Sequence, residues 1–216
     1  MSDRPLLLGH RGARASSGVA ENSLASFDLA LQHGCDGFEF DLRLTGCGRA
    51  LVCHDPEVEG ITVARAKPDQ LRQLPVLRDV LQRYARRAFL DVELKVPDLE
   101  SQVLVDLGEF APERGYVVSS FLPEVLTALR VRSGAITLGI LCDRPDMLAR
   151  WCEFPVEYIV PQHHLVTRQL VDQVHNAGRK LLTWTVNDKS AMLRLAEWGV
   201  DGIISDETEL LARTLG

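Results

Sequence analysis

The chain has 216 residues, of which 46% are hydrophobic and 25% charged, and carries a formal net charge of −6. This is ordinary globular composition, suited to one medium-sized domain over residues 1–216, and the acidic balance offers no basic footprint for a nucleic-acid backbone. The N-terminal MSDRPLLLGH has an apolar run of at most four residues, far below the roughly 20 a membrane helix needs, so no stable membrane insertion and a cytoplasmic location are expected. Five cysteines, an odd count with no Cys-x-x-Cys pair, do not suggest a secreted disulfide framework, while a Cys47–Cys53 pairing across a short turn stays open.

In chain order, a β-rich run at 6–9 ends in Gly9-His10-Arg11-Gly12. ENSLASFDLALQHG (21–34) reads as a helix with Asn22 or Ser23 as N-cap and Gly34 at its stop. GFEFDLR (37–43) is a second strand, and ALVCHD (50–55), reached through the turn TGCGR, is an antiparallel return, because that turn is hairpin chemistry. HDPEVEGITVARAKPDQ (54–70) reads as a loop over the same end of the molecule. Strands then follow at 89–95, 116–121, 137–141, 158–162, 180–186 and 202–205. Helical patterns at 74–87, 97–110, 122–134, 144–154, 167–178 and 188–199 separate them, several entered through Pro or Asp and left through Gly. Eight strand-then-helix units predict a parallel TIM (β/α)8 barrel with a small antiparallel hairpin annex after the second strand. A doubly wound open sheet is the alternative.

A barrel of this kind carries its chemistry where strands end. Glu39 and Asp41 are two apart and share a face, leaving Phe38, Phe40 and Leu42 for the helices, and Asp91, Glu93 and Lys95 repeat the pattern. Buried carboxylates need cations. Glu39, Asp41 and Glu93 form an oxygen-rich set suited to one divalent cation, Mg2+ or Ca2+, rather than Zn2+. An internal salt-bridge network of Glu39, Asp41, Asp91, Glu93, Lys95 and Arg43 is the structural alternative. His10 and His54, each at a strand end beside charge, are candidate general acid and base. His33 and His175 precede Gly at helix ends, where a dipole role suffices, and His163 and His164 follow the sixth barrel strand. Arg11 and Lys95 supply positive charge for a phosphoryl group. No Gly-x-Gly-x-x-Gly or Gly-x-Ser-x-Gly is present, which argues against dinucleotide and serine-hydrolase chemistry. From the residues alone, Glu21 is either solvated or close to His10, Asn22 either a helix cap or part of the site, and Trp184 either core or an apolar substrate wall.

Together these residues resemble the glycerophosphodiester phosphodiesterase family. The resemblance runs in order through GHRG (9–12), AENSLASF (20–27), GFEFDLRLT (37–45), VCHDP (52–56), LPVLRDVL (74–81), VELK (92–95), SSF (119–121), AGRKLLTWTVN (177–187) and GVDGIISD (199–206). It implies a TIM barrel with a metal on Glu39, Asp41 and Glu93, and His10 and His54 as the acid-base pair. Arg11 and Lys95 would lie near the phosphate, Glu21 and Asn22 match the family's Glu-Asn pair, and Trp184 matches its aromatic site residue. Ala20 and Ser23 stand where the family has Pro and Thr, and the segment after His54-Asp55 is short and lacks the usual Leu-Asp-Arg-Thr-Thr opening of a covering subdomain. The implied activity is hydrolysis of a small-molecule glycerophosphodiester to an alcohol and glycerol 3-phosphate. A lysophospholipase D or sphingomyelinase-D-like enzyme, and a non-catalytic metal- or phosphate-binding barrel, are the rivals; oligomeric state is not readable.

Overall fold

The computed structural model describes residues 4–216. Eight parallel strands close into a barrel: β1 (Leu6–His10), β2 (Gly37–Leu44), β6 (Phe89–Leu94), β7 (Tyr116–Ser120), β8 (Leu138–Cys142), β9 (Tyr158–Pro161), β10 (Lys180–Thr183) and β11 (Gly202–Ser205). Closure comes from β1, which pairs in parallel with β2 on one side and β11 on the other. This excludes the open doubly wound sheet. β3 (Ala50–Val52) returns antiparallel along β2, with Leu42 opposite Val52, as the hairpin chemistry of TGCGR requires.

The outer layer consists of α1 (Leu24–Gln32), α2 (Leu77–Tyr84), α3 (Glu100–Glu109), α4 (Pro123–Arg132), α5 (Pro145–Leu148), α6 (Arg168–Asn176), α7 (Lys189–Glu197) and α8 (Thr208–Leu215). Ser23, not Asn22, caps α1, accepting a hydrogen bond from the backbone N–H of Ser26. The pattern at 144–154 yields only the four residues of α5 and a 3-10 turn at Trp151–Glu153. Pro155 holds Phe154 in extended backbone, so that segment runs out before a longer helix can form. α8, absent from the sequence-based assignment, packs after the last strand. Among the described residues, no helix is long and apolar enough to cross a membrane.

The segment at 54–70 is more ordered than the loop expected. β4 (Glu57–Val58) and β5 (Ile61–Thr62) form a tight hairpin, with Glu59 and Gly60 both at positive φ (52° and 77°) as a type I′ turn demands. A 3-10 turn at Val63–Arg65 follows, and Val63, Ala66 and Leu71 bury against Leu51 and Cys53 of the β3 strand and its end. This packing draws the segment toward the annex.

Two cores result from the period-2 alternation of each strand. Phe38, Phe40, Leu42, Leu90, Val92 and Leu94 point out to the helices. Phe27 of α1 stacks on Phe38 at 4.2 Å between centroids, and Tyr84 of α2 meets Phe38 edge-on at 4.9 Å. Inside the barrel lies a smaller cluster of Leu8, Phe89, Val117, Leu141, Tyr158, Val160, Leu182 and Ile204. The polar site stands on that apolar floor.

Candidate active site

Parallel register converts sequence spacing into layers. His10 lies beside Glu39, and Glu39 beside Asp91, while Asp41 and Glu93 face one another two residues further up. Four carboxylates and a histidine are thus delivered to neighbouring inward positions by three strands. All four carboxylates are buried.

Each carboxylate is compensated differently. Asp41 accepts a hydrogen bond of 2.8 Å from Asn22 Nδ2 and lies 3.3 Å from Arg11 Nε and 3.4 Å from Lys95 Nζ. Burial pushes its carboxyl up, but Lys95, the Asn22 bond and Arg11 outweigh burial and hold it below the usual carboxylate range. Among the described residues, Glu39 accepts only the backbone N–H of Arg11, at 2.9 Å, and its Oε1 is buried with no hydrogen-bond partner. Burial, then the charges of Asp41, Glu93 and Asp91, raise its carboxyl well above the ordinary value. Glu93 pairs with Lys95 Nζ at 2.7 Å, yet burial and the Asp41 charge still push it up to about 7. Asp91 takes a 2.6 Å hydrogen bond from Ser119 Oγ, and burial carries it to about 7.

This cluster has too few cations for its charges. One oxygen each from Glu39, Asp41 and Glu93 lies within 4.8 Å of the others, a set that could hold a metal ion. The orphaned Oε1 of Glu39 and the upward shifts of Glu39 and Glu93 fit a site completed by a cation rather than a closed salt-bridge network. Arg43 takes no part in that network: its Nε donates to the backbone carbonyl of His54 at 2.6 Å.

A cavity of about 230 Å3 opens above the carboxylates, lined on its polar side by His10, Arg11, Glu39, His54, Glu93 and Lys95. Phe121, Leu141, Trp184 and Ile204 line the apolar side. Trp184 is therefore a wall of the cavity, held by its Nε1–H on Val160 O at 3.0 Å and by an edge contact with Phe121. Residues 57–71 contribute nothing to this lining, so the expected loop over the mouth covers the annex instead. Glu21 and Asn22 do not line the cavity either. Glu21 clamps Arg11 at 2.8 Å and Arg14 at 2.6 Å, and Asn22, at φ 54°, holds Asp41 through its Nδ2.

The two histidines have similar partners in different surroundings. His10 Nδ1 is 2.7 Å from Asp206 Oδ1 and its Nε2 is 3.9 Å from Glu39 Oε2. His54 Nδ1 is 2.8 Å from Asp55 Oδ1, but Asp55 is 71% exposed. The other histidines lie elsewhere: His33 bonds Thr208, His175 bonds Asp201, and His163 and His164 meet with tilted rings, 3.8 Å between centroids, outside the cavity lining. All five cysteines are free, Cys47 exposed and Cys53 buried, so they are not paired.

The sequence profile of the glycerophosphoryl diester phosphodiesterase family matches residues 10–101 and 74–210. The chain belongs to this family. The glycerophosphodiester phosphodiesterase of Caldanaerobacter subterraneus subsp. tengcongensis is 28% identical, covering 96% of both chains. That of Bacillus subtilis is 24% identical over 96% of this chain and 85% of its own. Among solved structures, the glycerophosphodiester phosphodiesterase from Thermotoga maritima superposes with a TM-score of 0.83 at 22% identity, covering 97% of each chain. An Oleispira antarctica phosphodiesterase does so at 0.84 and 24% identity, covering 98% of this chain and 96% of that one. Membership makes this chain an enzyme of the phosphodiesterase class.

In this phosphodiesterase-family site, Phe121 of the cavity wall escaped the reading from sequence, and so did a group of three polar residues. Asp206, Asn187 and Arg14 form a polar group at the end of β11, where Asn187 Nδ2 donates to Asp206 Oδ2 at 2.7 Å and Arg14 Nη1 to Oδ1 at 3.4 Å. The available signal was positional: Asp206 directly follows the last barrel strand, where such folds place functional residues.

Proposed function

We propose that the protein is a metal-dependent glycerophosphodiester phosphodiesterase that releases an alcohol and glycerol 3-phosphate. The observation that carries this reading is the convergence of His10, His54, Lys95 and an under-compensated carboxylate triad on one cavity. Support from outside the chain comes from the Oleispira antarctica structure, which is described in complex with the product sn-glycerol-3-phosphate.

Glu39, Asp41 and Glu93 are the residues that would hold one divalent cation; their all-oxygen donors favour Mg2+ or Ca2+, and the ion would supply Lewis-acid polarisation of a phosphate oxygen. Of the proton-transfer pair, one histidine takes the proton of the attacking water or substrate hydroxyl as its oxygen bonds to phosphorus. The other gives a proton to the leaving alcohol as the old P–O bond breaks. Lys95 and Arg11 hold positive charge at the cavity edge for the phosphoryl oxygens, with Glu21 and Asn22 keeping Arg11 and Asp41 in place. Trp184 and Phe121 exclude water from the apolar side, where the carbon skeleton of the substrate rests.

The test is turnover of glycerophosphocholine, glycerophosphoethanolamine and a lysophospholipid, each with Mg2+, Ca2+ or EDTA. EDTA-sensitive release of headgroup and glycerol phosphate is expected, with His10→Ala and His54→Ala each slower by about 10²-fold or more. Preference for the lysolipid would favour the lysophospholipase D reading, to which the short covering segment leaves the mouth open. Metal binding with silence on all three diesters would favour the non-catalytic barrel.

A further inference from the structure

Asp206 lies 196 residues from His10 in sequence, on the opposite side of the seam that closes the barrel, and no step described so far uses it. Its side chain is anchored at both oxygens. Oδ1 faces His10 Nδ1 at 2.7 Å, and Oδ2 accepts from Asn187 Nδ2 at 2.7 Å. Asn187 Oδ1 accepts in return from the backbone N–H of Asp206 at 2.9 Å and from Ser205 Oγ at 3.1 Å, which ties the carboxyl to its own main chain. Arg14 approaches Oδ1 from the first βα loop. The side chain of Asp206 is only 17% exposed, against 71% for Asp55 beside His54.

We propose that Asp206 is a positioning residue for His10, fixing the ring with Nδ1–H toward its carboxylate and the lone pair of Nε2 toward the cavity. An ionised carboxylate only accepts hydrogen bonds, so the ring nitrogen that faces it must carry the proton. Burial works against ionisation of Asp206, but hydrogen bonds from His10 and Asn187 and the nearby charges of His10 and Arg14 overcome it and bring the carboxyl down to about 2. The ring nitrogen left bare is the one beside Glu39 and the metal-ligand cluster. Asp206 thus sets which nitrogen of His10 exchanges protons with substrate, as carboxylates do behind the histidines of other hydrolytic sites. Asn187 holds Asp206 in turn. The exposed Asp55 gives His54 a looser version of the same contact.

This inference rests on His10 acting as a proton-transfer group, so its test carries one reading that needs no turnover. Asp206→Asn and Asp206→Ala are compared with wild type by kcat and KM on glycerophosphocholine and by 15N shifts of the His10 ring at a pH where the ring is neutral. His10 is assigned by the signal lost in His10→Gln. The expected result is a fall in kcat of about 10²-fold with KM little changed, and a shift of the His10 tautomer away from Nδ1–H. Asn187→Ala, which keeps the His10–Asp206 contact and frees its anchor, is expected to move both readings less and in the same sense, and it serves if the Asp206 variants do not fold. An unchanged tautomer in the folded variants, or a loss confined to KM, would overturn the assignment. An inactive wild type with the tautomer shift present would instead remove the proposed function and leave Asp206 as the residue that orients His10.

Discussion

At the scale of single residues, the site is built from carboxyl groups held out of balance. Asp41 has Lys95, Asn22 and Arg11 and is held ionised, whereas Asp91 and Glu93 are driven by burial to about 7. A folded-state pKa above the unfolded value near 4 means that stability is fully present below the unfolded pKa and is lost as pH rises through about 7. In EDTA, the urea midpoint is therefore expected to be lower near pH 8 than near pH 5, and Mg2+ or Ca2+ should close the gap, because a cation favours the ionised carboxylates. A metal-free midpoint that rises over the same interval would contradict this. Asp206, down at about 2, loses its contribution only in far more acidic solution and does not blur the measurement. Much of this chemistry was legible: two carboxylates two residues apart on a strand must share a face, and burial demands their compensation. Asp206 was not, since its role depends on a partner 196 residues distant.

The individual elements explain why the site holds its shape. β2 has two duties, presenting Glu39 and Asp41 inward while Phe38 and Phe40 lock it to α1 and α2. Its first residue must be glycine, because a Cβ on Gly37 would fall 1.9 Å from the carbonyl oxygen of Phe89 and prise β2 from β6. Phe38→Ala removes the stacking partner of Phe27 and leaves a cavity beneath two helices, so a loss of about 3–5 kcal/mol is expected from urea unfolding. A loss under about 1 kcal/mol would mean that the outer core does not hold the strand. Strand positions were readable from alternation and helix starts from Ser23, Thr167 and Asp188, each accepting from a backbone N–H three residues on. The shortness of α5 followed from Pro155, a breaker just past the pattern. The hairpin at 57–62 was signalled by Glu59-Gly60 between two apolar residues, a cue hidden by the charge of the surrounding segment.

Across the whole molecule, alternation of strand and helix sufficed to indicate the barrel, but closure depends on the β1–β11 and β1–β2 seams, which join distant parts of the chain. Closure is what brings Asp206 to His10 and sets Trp184 across the cavity from Glu93 and Lys95. The covering segment packs on the annex through Leu51, Cys53, Val63 and Leu71, so the cavity mouth is walled by Phe121 and Trp184 without a lid from residues 57–71. The barrel, the carboxylate triad and the histidine pair together support the proposal that turnover needs a single cation on Glu39, Asp41 and Glu93. The most direct test titrates Mg2+ or Ca2+ into EDTA-stripped protein, reading bound metal by calorimetry and glycerophosphodiester turnover in the same series. Turnover should rise in proportion to the filling of one site, with binding and turnover both lost in Glu39→Gln; full turnover before any metal is bound would contradict the account.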